Sequence, residues 1–236
     1  MGDRRGHNRL LASLDPEIRD RLGPHLRSAE LKHGSVLFEP GQEVTAAHFP
    51  VGAVVSLLVV ASDGRQVELA TVGREGAVGV PALLDGSHAI WRALVQVPGA
   101  AFVLPLEILE REIERSPSFK EMLDRYFFAL MSQVGQAVAC NRLHPVEQRT
   151  ARWLLLTHDR VGEDEFAATH QFLSEMLGVR RASVTEGAGV IQGRGLIEYH
   201  RGRMRIKDRA GLEEASCECY ETVRRVYDRV LPWGSS

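Results

Sequence analysis

The sequence predicts an α+β chain: a run of short strands rolled up on itself, then one long helix, then a small helical unit closed by a β-hairpin. Three observations predict it. Between Leu31 and Leu104, short β-favouring apolar runs alternate with turn residues. After Ser116-Pro117, apolar residues recur at helical spacing as far as Asn141. From Thr169 onward, two short amphipathic segments flank Gly178 and lead to two strand-like runs around Arg201-Gly202.

Taken in order, residues 1–30 read as helical, with Leu10, Leu11, Leu14, Ile18, Leu22 and Leu26 at helical spacing. Asp15-Pro16 supplies a cap and a first-turn proline for the second of these helices. The strand runs are Ser35 to Phe38, Val54 to Val60, Val67 to Val72, Ala93 to Val97 and Ala101 to Leu104. Asp63-Gly64 between two of them is a hairpin signal. Such a pattern folds as a small sandwich or closed roll, whose interior can hold one small ligand.

Residues 105–115 form a short helix, and Ser116-Pro117 caps a long one. Along it Leu123, Phe127, Leu130, Val134, Ala137 and Asn141 step by four, three, four, three and four. That is a coiled-coil seam, with Asn141 placed to set register. The same stripe also suits a helix buried against its own domain; dimerisation is the expectation adopted here. His144-Pro145 ends the helix and marks a domain boundary. Val146 to Asp159 is amphipathic, with Ala151, Leu154 and Leu155 inward, and Val161 to Glu165 is a loop. Ala210 to Val230 is a helical tail with acidic Glu213 and Glu214 early in it, where the helix dipole favours them.

Thr169 is a plausible N-cap for a helix carrying Phe172, Leu173, Met176 and Leu177, and Gly178 suits its left-handed terminus. The next helix begins near Arg180, buries Val184 and Ile191, and ends by Gly193 or Gly195. A helix, a tight turn and a second helix is a shape that reads DNA, and the N-terminal end of the second helix attracts phosphate. Arg180 to Arg209 holds eight Arg/Lys against three Asp/Glu, while the whole chain is formally −2. Basic charge gathered on one unit is the footprint of phosphate contact.

With 44% hydrophobic and 25% charged residues, the 236-residue chain has the composition of an ordinary globular protein of one or two domains. No apolar run approaches the roughly 18 residues of a membrane span, and no signal peptide is expected. The three cysteines, Cys140, Cys217 and Cys219, make no disulfide framework, so the cytoplasm is the expected compartment.

Leu173 to Thr185, Glu147 to Leu155 and Leu37 to Glu43, in this order of elements, make the chain resemble the Crp/Fnr family of bacterial transcription regulators. The resemblance covers roughly Leu10 to Leu212. It implies a cyclic-nucleotide-binding-like β-roll (a double-stranded β-helix or jelly roll) with flanking helices over residues 1–115. A long dimerisation helix would follow over 116–144, and a winged helix-turn-helix with a helical tail over 145–236. It further implies a cytoplasmic homodimer on a palindromic operator in double-stranded DNA, with RNA polymerase as protein partner and no membrane. Carried over by position, Arg181 would read a guanine edge, while Thr169, His170, Gln171, Arg180 and Ser183 would face phosphates. His200 and Arg201 would do so from the wing; Thr185, Glu186 and Arg203 complete the expected DNA-binding set. Ala182 and Glu186 depart from the cyclic AMP receptor pattern, so a different operator is implied.

For an effector, Arg74, Glu75, Gly76, Ser87, His88 and Arg92 are the candidate pocket residues. The family's Gly-Glu-x-x-Gly turn is altered at Arg74, and its Arg-Ser or Arg-Thr pair is missing. A cyclic phosphate would then lack its charge-assisted bonds unless Arg74 or Arg92 supplied the charge from another direction, so no cofactor is identified and a cyclic nucleotide stays only as the weaker alternative. No cysteine precedes Cys140 to hold an N-terminal iron–sulfur cluster. His33, His48 and His88 are isolated candidates for haem. Gly73-x-x-Gly76-x-x-Gly79 does not match a dinucleotide fingerprint. No H-E-x-x-H or paired Cys/His set appears, and neither a metal site nor an enzyme is expected. The second reading is a cupin-like β-barrel enzyme with a C-terminal interaction module; it would need clustered ligands, whereas the nine histidines are scattered.

Overall fold

The computed structural model describes residues 8–84 and 86–231. The first seven positions of the expected N-terminal helical stretch, and Asp85 in the expected effector loop, lie outside the described residues. Helix α1 (Arg9–Ala12) is capped by Asn8, whose side-chain oxygen accepts the Leu11 N–H at 3.2 Å. Helix α2 (Pro16–Leu22) starts at the expected proline. The helical reading then fails: a 3-10 turn at Gly23–His25 leads into strand β1 (Arg27–Leu31). Only Leu31 of β1 is buried, so this edge strand carries no alternating signal.

The strands that follow are β2 (Val36–Phe38), β3 (Ala46–Pro50), β4 (Val54–Val60), β5 (Gln66–Val72), β6 (Arg92–Val97) and β7 (Gly99–Pro105). All pair antiparallel, in sheets ordered β1-β7-β3 and β2-β6-β4-β5. The sequence reading missed β3, whose Ala-Ala-His-Phe-Pro composition lacks a β-branched run. The β4–β5 turn forms at the expected Asp63-Gly64, with Gly64 at φ +83°.

Helix α3 (Leu106–Arg115) leads to α4 (Pro117–Leu143), whose N-cap Ser116 accepts the Phe119 N–H at 3.3 Å. Here the expected seam needs correction. Leu123, Leu130 and Ala137 are buried within their own chain, with Phe127 and Val134 half-buried against the same core. Asn141 accepts a bond from Arg149 of its own chain at 2.9 Å. The exposed apolar row is the neighbouring stripe, Phe128, Met131 and Val138.

Helix α5 (Val146–Val161) follows His144-Pro145, and β8 (Glu165–Ala167) begins where a loop was expected to end. Then come α6 (His170–Leu177), α7 (Arg181–Gly193), β9 (Ile197–His200) and β10 (Arg203–Ile206), with strand order β8-β10-β9. The tail divides into α8 (Arg209–Ala215) and α9 (Cys219–Val230), and α9 packs back along α4.

A buried polar network joins these layers. The Arg160 guanidinium donates to Glu75 at 2.8 Å, to the Leu156 carbonyl at 2.8 Å and to Gln133 at 3.1 Å. Gln133 also accepts from the Tyr227 hydroxyl at 3.1 Å, so α5, the turn after β5, α4 and α9 meet at one charge. Gly73 and Gly76 make room for it. A Cβ at Gly73 would stand 2.6 Å from the Arg160 Cβ, and one at Gly76 would stand 2.6 Å from the Tyr126 ring. Beside this network Glu68 is held by the Ser56 hydroxyl at 2.7 Å, and Gln96 donates to Thr157 at 3.1 Å. Burial pushes the Glu68 carboxyl up to about 7.

Two outcomes follow for stability. Glu75→Gln strands the buried Arg160 charge and should cost about 3–5 kcal/mol by urea unfolding, whereas Glu75→Leu with Arg160→Met should recover most of that loss. For Glu68 the native state holds its proton up to about 7, but the unfolded chain releases it near the ordinary 4.5. Between these values the native state binds more protons, so stability falls as pH rises through the window. Unfolding at about pH 5 and about pH 7.5 should show a decline in the wild type of about 2 kcal/mol that Glu68→Gln lacks.

Candidate nucleic-acid interface

Helix α6 is fixed at both ends. The Thr169 hydroxyl accepts the Phe172 N–H at 3.0 Å, and Gly178 closes the helix in the left-handed region at φ +62°. The Arg149 guanidinium donates to the orphan Leu177 carbonyl, so α5 also caps α6. Phe172 meets the Trp153 ring edge-on at 6.1 Å. Helix α7 buries Val184, Ala188 and Ile191. Gly187 lets it approach α5: a Cβ there would come within 3.3 Å of the Glu147 backbone.

That packing leaves one row of α7 outward. Arg180 is its N-cap residue and Arg181 its first helical residue; both are exposed, as are Thr185 and Glu186, with Ser183 half-buried. His170 lies across the turn from this row: its Nδ1 is 3.0 Å from the Thr185 hydroxyl, and its ring stacks on Tyr199 at 4.2 Å. Burial, and then the nearby Arg181 charge, lower the His170 pKa, which favours a neutral ring. Gln171 is exposed and donates to Glu175 at 2.8 Å.

The wing turn forms at Arg201-Gly202, both in the left-handed region at φ +47° and +81°. Glycine accepts such a φ freely; Arg201 holds it because β9 and β10 pair in register on either side. His200 and Arg201 are exposed at the tip, whereas Arg203 and Arg205 are engaged by Glu165 on β8. The fold therefore brings Thr169, His170, Arg180, Arg181, Ser183 and Thr185 onto one surface, with the wing tip beyond them.

The effector candidates do not converge. Glu75 is committed to Arg160, and Arg74 lies with it on the wall of a cleft of about 230 Å³ shared with Asp159, Arg209 and Arg224, outside the roll. Gly76 faces Tyr126. The Ser87 hydroxyl reaches Glu110 at 3.3 Å, His88 is exposed, and Arg92 pairs with Glu39 at 2.9 Å. Inside the roll, Phe38, Val44, Leu57, Pro81 and Trp91 leave about 30 Å³, near the room for a single water. His33, His48 and His88 also lie apart: His33 contacts the Gln96 carbonyl, His48 meets the Phe38 ring edge-on at 5.5 Å, and His88 sits in the loop before β6. This interior lends no support to a metal-bearing barrel enzyme.

One assembly escaped the sequence reading. Cys140 and His144 from the end of α4 meet Cys217 and Cys219 from the α8–α9 junction, their ligand atoms all within 4.8 Å of one another. The local signals were the i, i+4 pair Cys140/His144 and the Cys217-x-Cys219 pair; only the return of α9 along α4 joins them.

Comparison with known proteins finds a cyclic nucleotide-binding domain over residues 29–116 and a Crp-like helix-turn-helix domain over residues 148–215. The global nitrogen regulator of Synechococcus elongatus is 21% identical over 198 residues, covering 80% of this chain and 89% of that one. Among solved structures, FixK2 from Bradyrhizobium japonicum superposes with a TM-score of 0.70 at 13% identity, over 81% of this chain and 98% of its own. A CRP-family transcriptional regulator from Thermus thermophilus gives 0.66 at 21%, over 80% and 96%. With both domains present in this order around α4, the chain belongs to the Crp/Fnr family of transcriptional regulators.

Proposed function

We propose that the chain acts as a homodimer that reads a palindromic operator through α7, under the control of a signal other than a cyclic nucleotide. The observation that carries the DNA reading is the exposed Arg181 on the first turn of α7, backed by a buried apolar face and flanked by a basic wing tip. A guanidinium there can make the bidentate bond to a guanine edge in the major groove. Arg180, Ser183, Thr169, His170 and Gln171 surround it as phosphate partners, with His200 and Arg201 reaching the backbone from the wing. Thr185 and Glu186 face the same groove, and Glu186 favours a base that donates. Arg203, tied to Glu165, is the weakest member of the set. Once on a promoter, such a dimer would meet RNA polymerase.

The dimer reading rests on the outward stripe of α4. Phe128, Met131 and Val138 are 53%, 51% and 62% exposed, at three- and seven-residue steps with Gly135 between. An apolar row of that period on a long helix suits the same row of a second copy, and twofold symmetry suits two half-sites. The signal reading rests on the roll's filled interior and on the engagement of Glu75 by Arg160. The reading unit is docked on the roll: Val67 of β5 lies against Gly178, and Gln66 reaches Glu175 at 3.5 Å. A signal would therefore act by preferring one of two placements of that unit.

In gel-shift titrations on an operator selected with the wild-type protein, Arg181→Ala should lose roughly 1–3 kcal/mol of discrimination at one base pair per half-site. Arg201→Ala should weaken all sequences alike and lower the salt slope by about 1 per bound wing. An Arg181→Ala protein with unaltered base preference would remove the reader assignment. Sedimentation of Val138→Glu should give monomer where the wild type gives dimer; a wild-type monomer, or a dimer indifferent to that charge, would count against the α4 interface.

A further inference from the structure

We infer that Cys140, His144, Cys217 and Cys219 form a closed, four-ligand zinc site that ties the end of α4 to the start of α9. The inference goes beyond DNA reading and does not depend on it. The Cys140 and Cys217 sulfurs lie 3.5 Å apart, as do the Cys219 sulfur and the His144 Nδ1. Tetrahedral zinc with Zn–S about 2.3 Å and Zn–N about 2.05 Å needs S···S edges near 3.8 Å and S···N edges near 3.6 Å. The four atoms, all within 4.8 Å of one another, already stand at about that scale. Three sulfurs and an imidazole make a soft, N/S donor set that suits zinc and not magnesium or calcium.

The surroundings are those of a metal centre rather than of incidental thiols. Cys140 and Cys219 are fully buried and Cys217 is 5% exposed. His144 turns its other nitrogen, Nε2, to Glu218 at 3.2 Å. A carboxylate on that nitrogen favours the proton there and leaves the Nδ1 lone pair facing the sulfurs, the arrangement found behind metal-bound histidines. Gln136 donates an N–H to the Cys219 sulfur at 3.1 Å. Zinc with three thiolates carries one net negative charge. The buried Arg149 and Arg152 of α5 lie near enough to interact electrostatically with Cys140 and offset it. On binding, the three thiols lose their protons to solvent, and nothing is oxidised or reduced. A Cys140–Cys217 disulfide would use two of the four groups and leave Cys219 and His144 without a role; it also needs an oxidant.

With four protein ligands the site has no open coordination position, so its role is structural. It spans the His144-Pro145 break, holding the helix that closes the C-terminal unit against the helix proposed to pair the two copies.

The full-length protein, reduced and stripped of metal, is titrated with zinc against a chromophoric chelator and, separately, with cobalt. One equivalent of each per chain is expected, with the intense visible absorption of tetrahedral thiolate-bound cobalt(II). Exposed Glu218→Gln should keep the fold by circular dichroism and weaken zinc binding roughly ten- to hundredfold. Cys219→Ser should weaken it further. The inference fails if reduced wild-type protein takes up neither metal while all three thiols react with a thiol reagent. It fails equally if metal binds with unchanged affinity in Glu218→Gln and Cys219→Ser, or if the protein as purified shows a Cys140–Cys217 disulfide and binds no zinc after reduction.

Discussion

The Arg160 guanidinium has to be satisfied inside the protein, and much of the architecture is arranged around that requirement. Glu75, Gln133 and the Leu156 carbonyl take its donors, and Tyr227 reaches the same Gln133. Those partners come from the roll, from α4, from its own helix and from α9. A displacement of any of these layers that keeps water out leaves a buried charge or amide unpaired, at a cost of several kcal/mol. The glycines after β5 belong to this constraint. Gly73 and Gly76 are spaced three apart because each faces a large side chain, Arg160 and Tyr126, and not because the loop cradles a phosphate.

That explains which parts of the fold were legible. Val54 to Val60, the Asp63-Gly64 turn, the Thr169 and Gly178 helix ends and the Arg201-Gly202 wing turn are local signals, written in residues that neighbour each other. β1 and β3 were not, since Arg27–Leu31 presents mostly solvent-facing residues and Ala46–Pro50 lacks β-formers. The stripe on α4 was read with the right period and the wrong partner. Two adjacent stripes share three- and four-residue spacing, and spacing alone does not say whether a stripe meets its own roll or a second chain. The inward one, Leu123, Leu130 and Ala137, is the more continuous, so it dominated the pattern.

The candidate sites divide along the same line. Arg180, Arg181, Ser183 and Thr185 sit on one helix end, so their proximity follows from one element. The effector set was assembled by position in the chain, and the fold assigns its members to separate tasks: Glu75 to Arg160, Arg92 to Glu39, Ser87 to Glu110. The cysteine–histidine cluster is the opposite case. Each of its two pairs is local, but the pairs lie more than seventy residues apart, and nothing in either one announces the other.

The chemistry of the roll–reader contact bears on how such a molecule could change state. An apolar interface of this extent would oppose separation by its full hydrophobic free energy. Here the contact is partly built from Arg160, Glu75, Glu68, Gln96 and Thr157, groups that regain hydration whenever they are exposed. A buried ion pair is specific in geometry yet roughly neutral in net free energy against solvated charges, because desolvation offsets most of its attraction. The network can therefore fix one placement of the reading unit sharply without making that placement much deeper than an alternative. Two placements of similar free energy are what a modest difference in ligand affinity can interconvert. On this view the polar residues at the contact do not strengthen the docked arrangement; they define it while leaving it within reach of a signal.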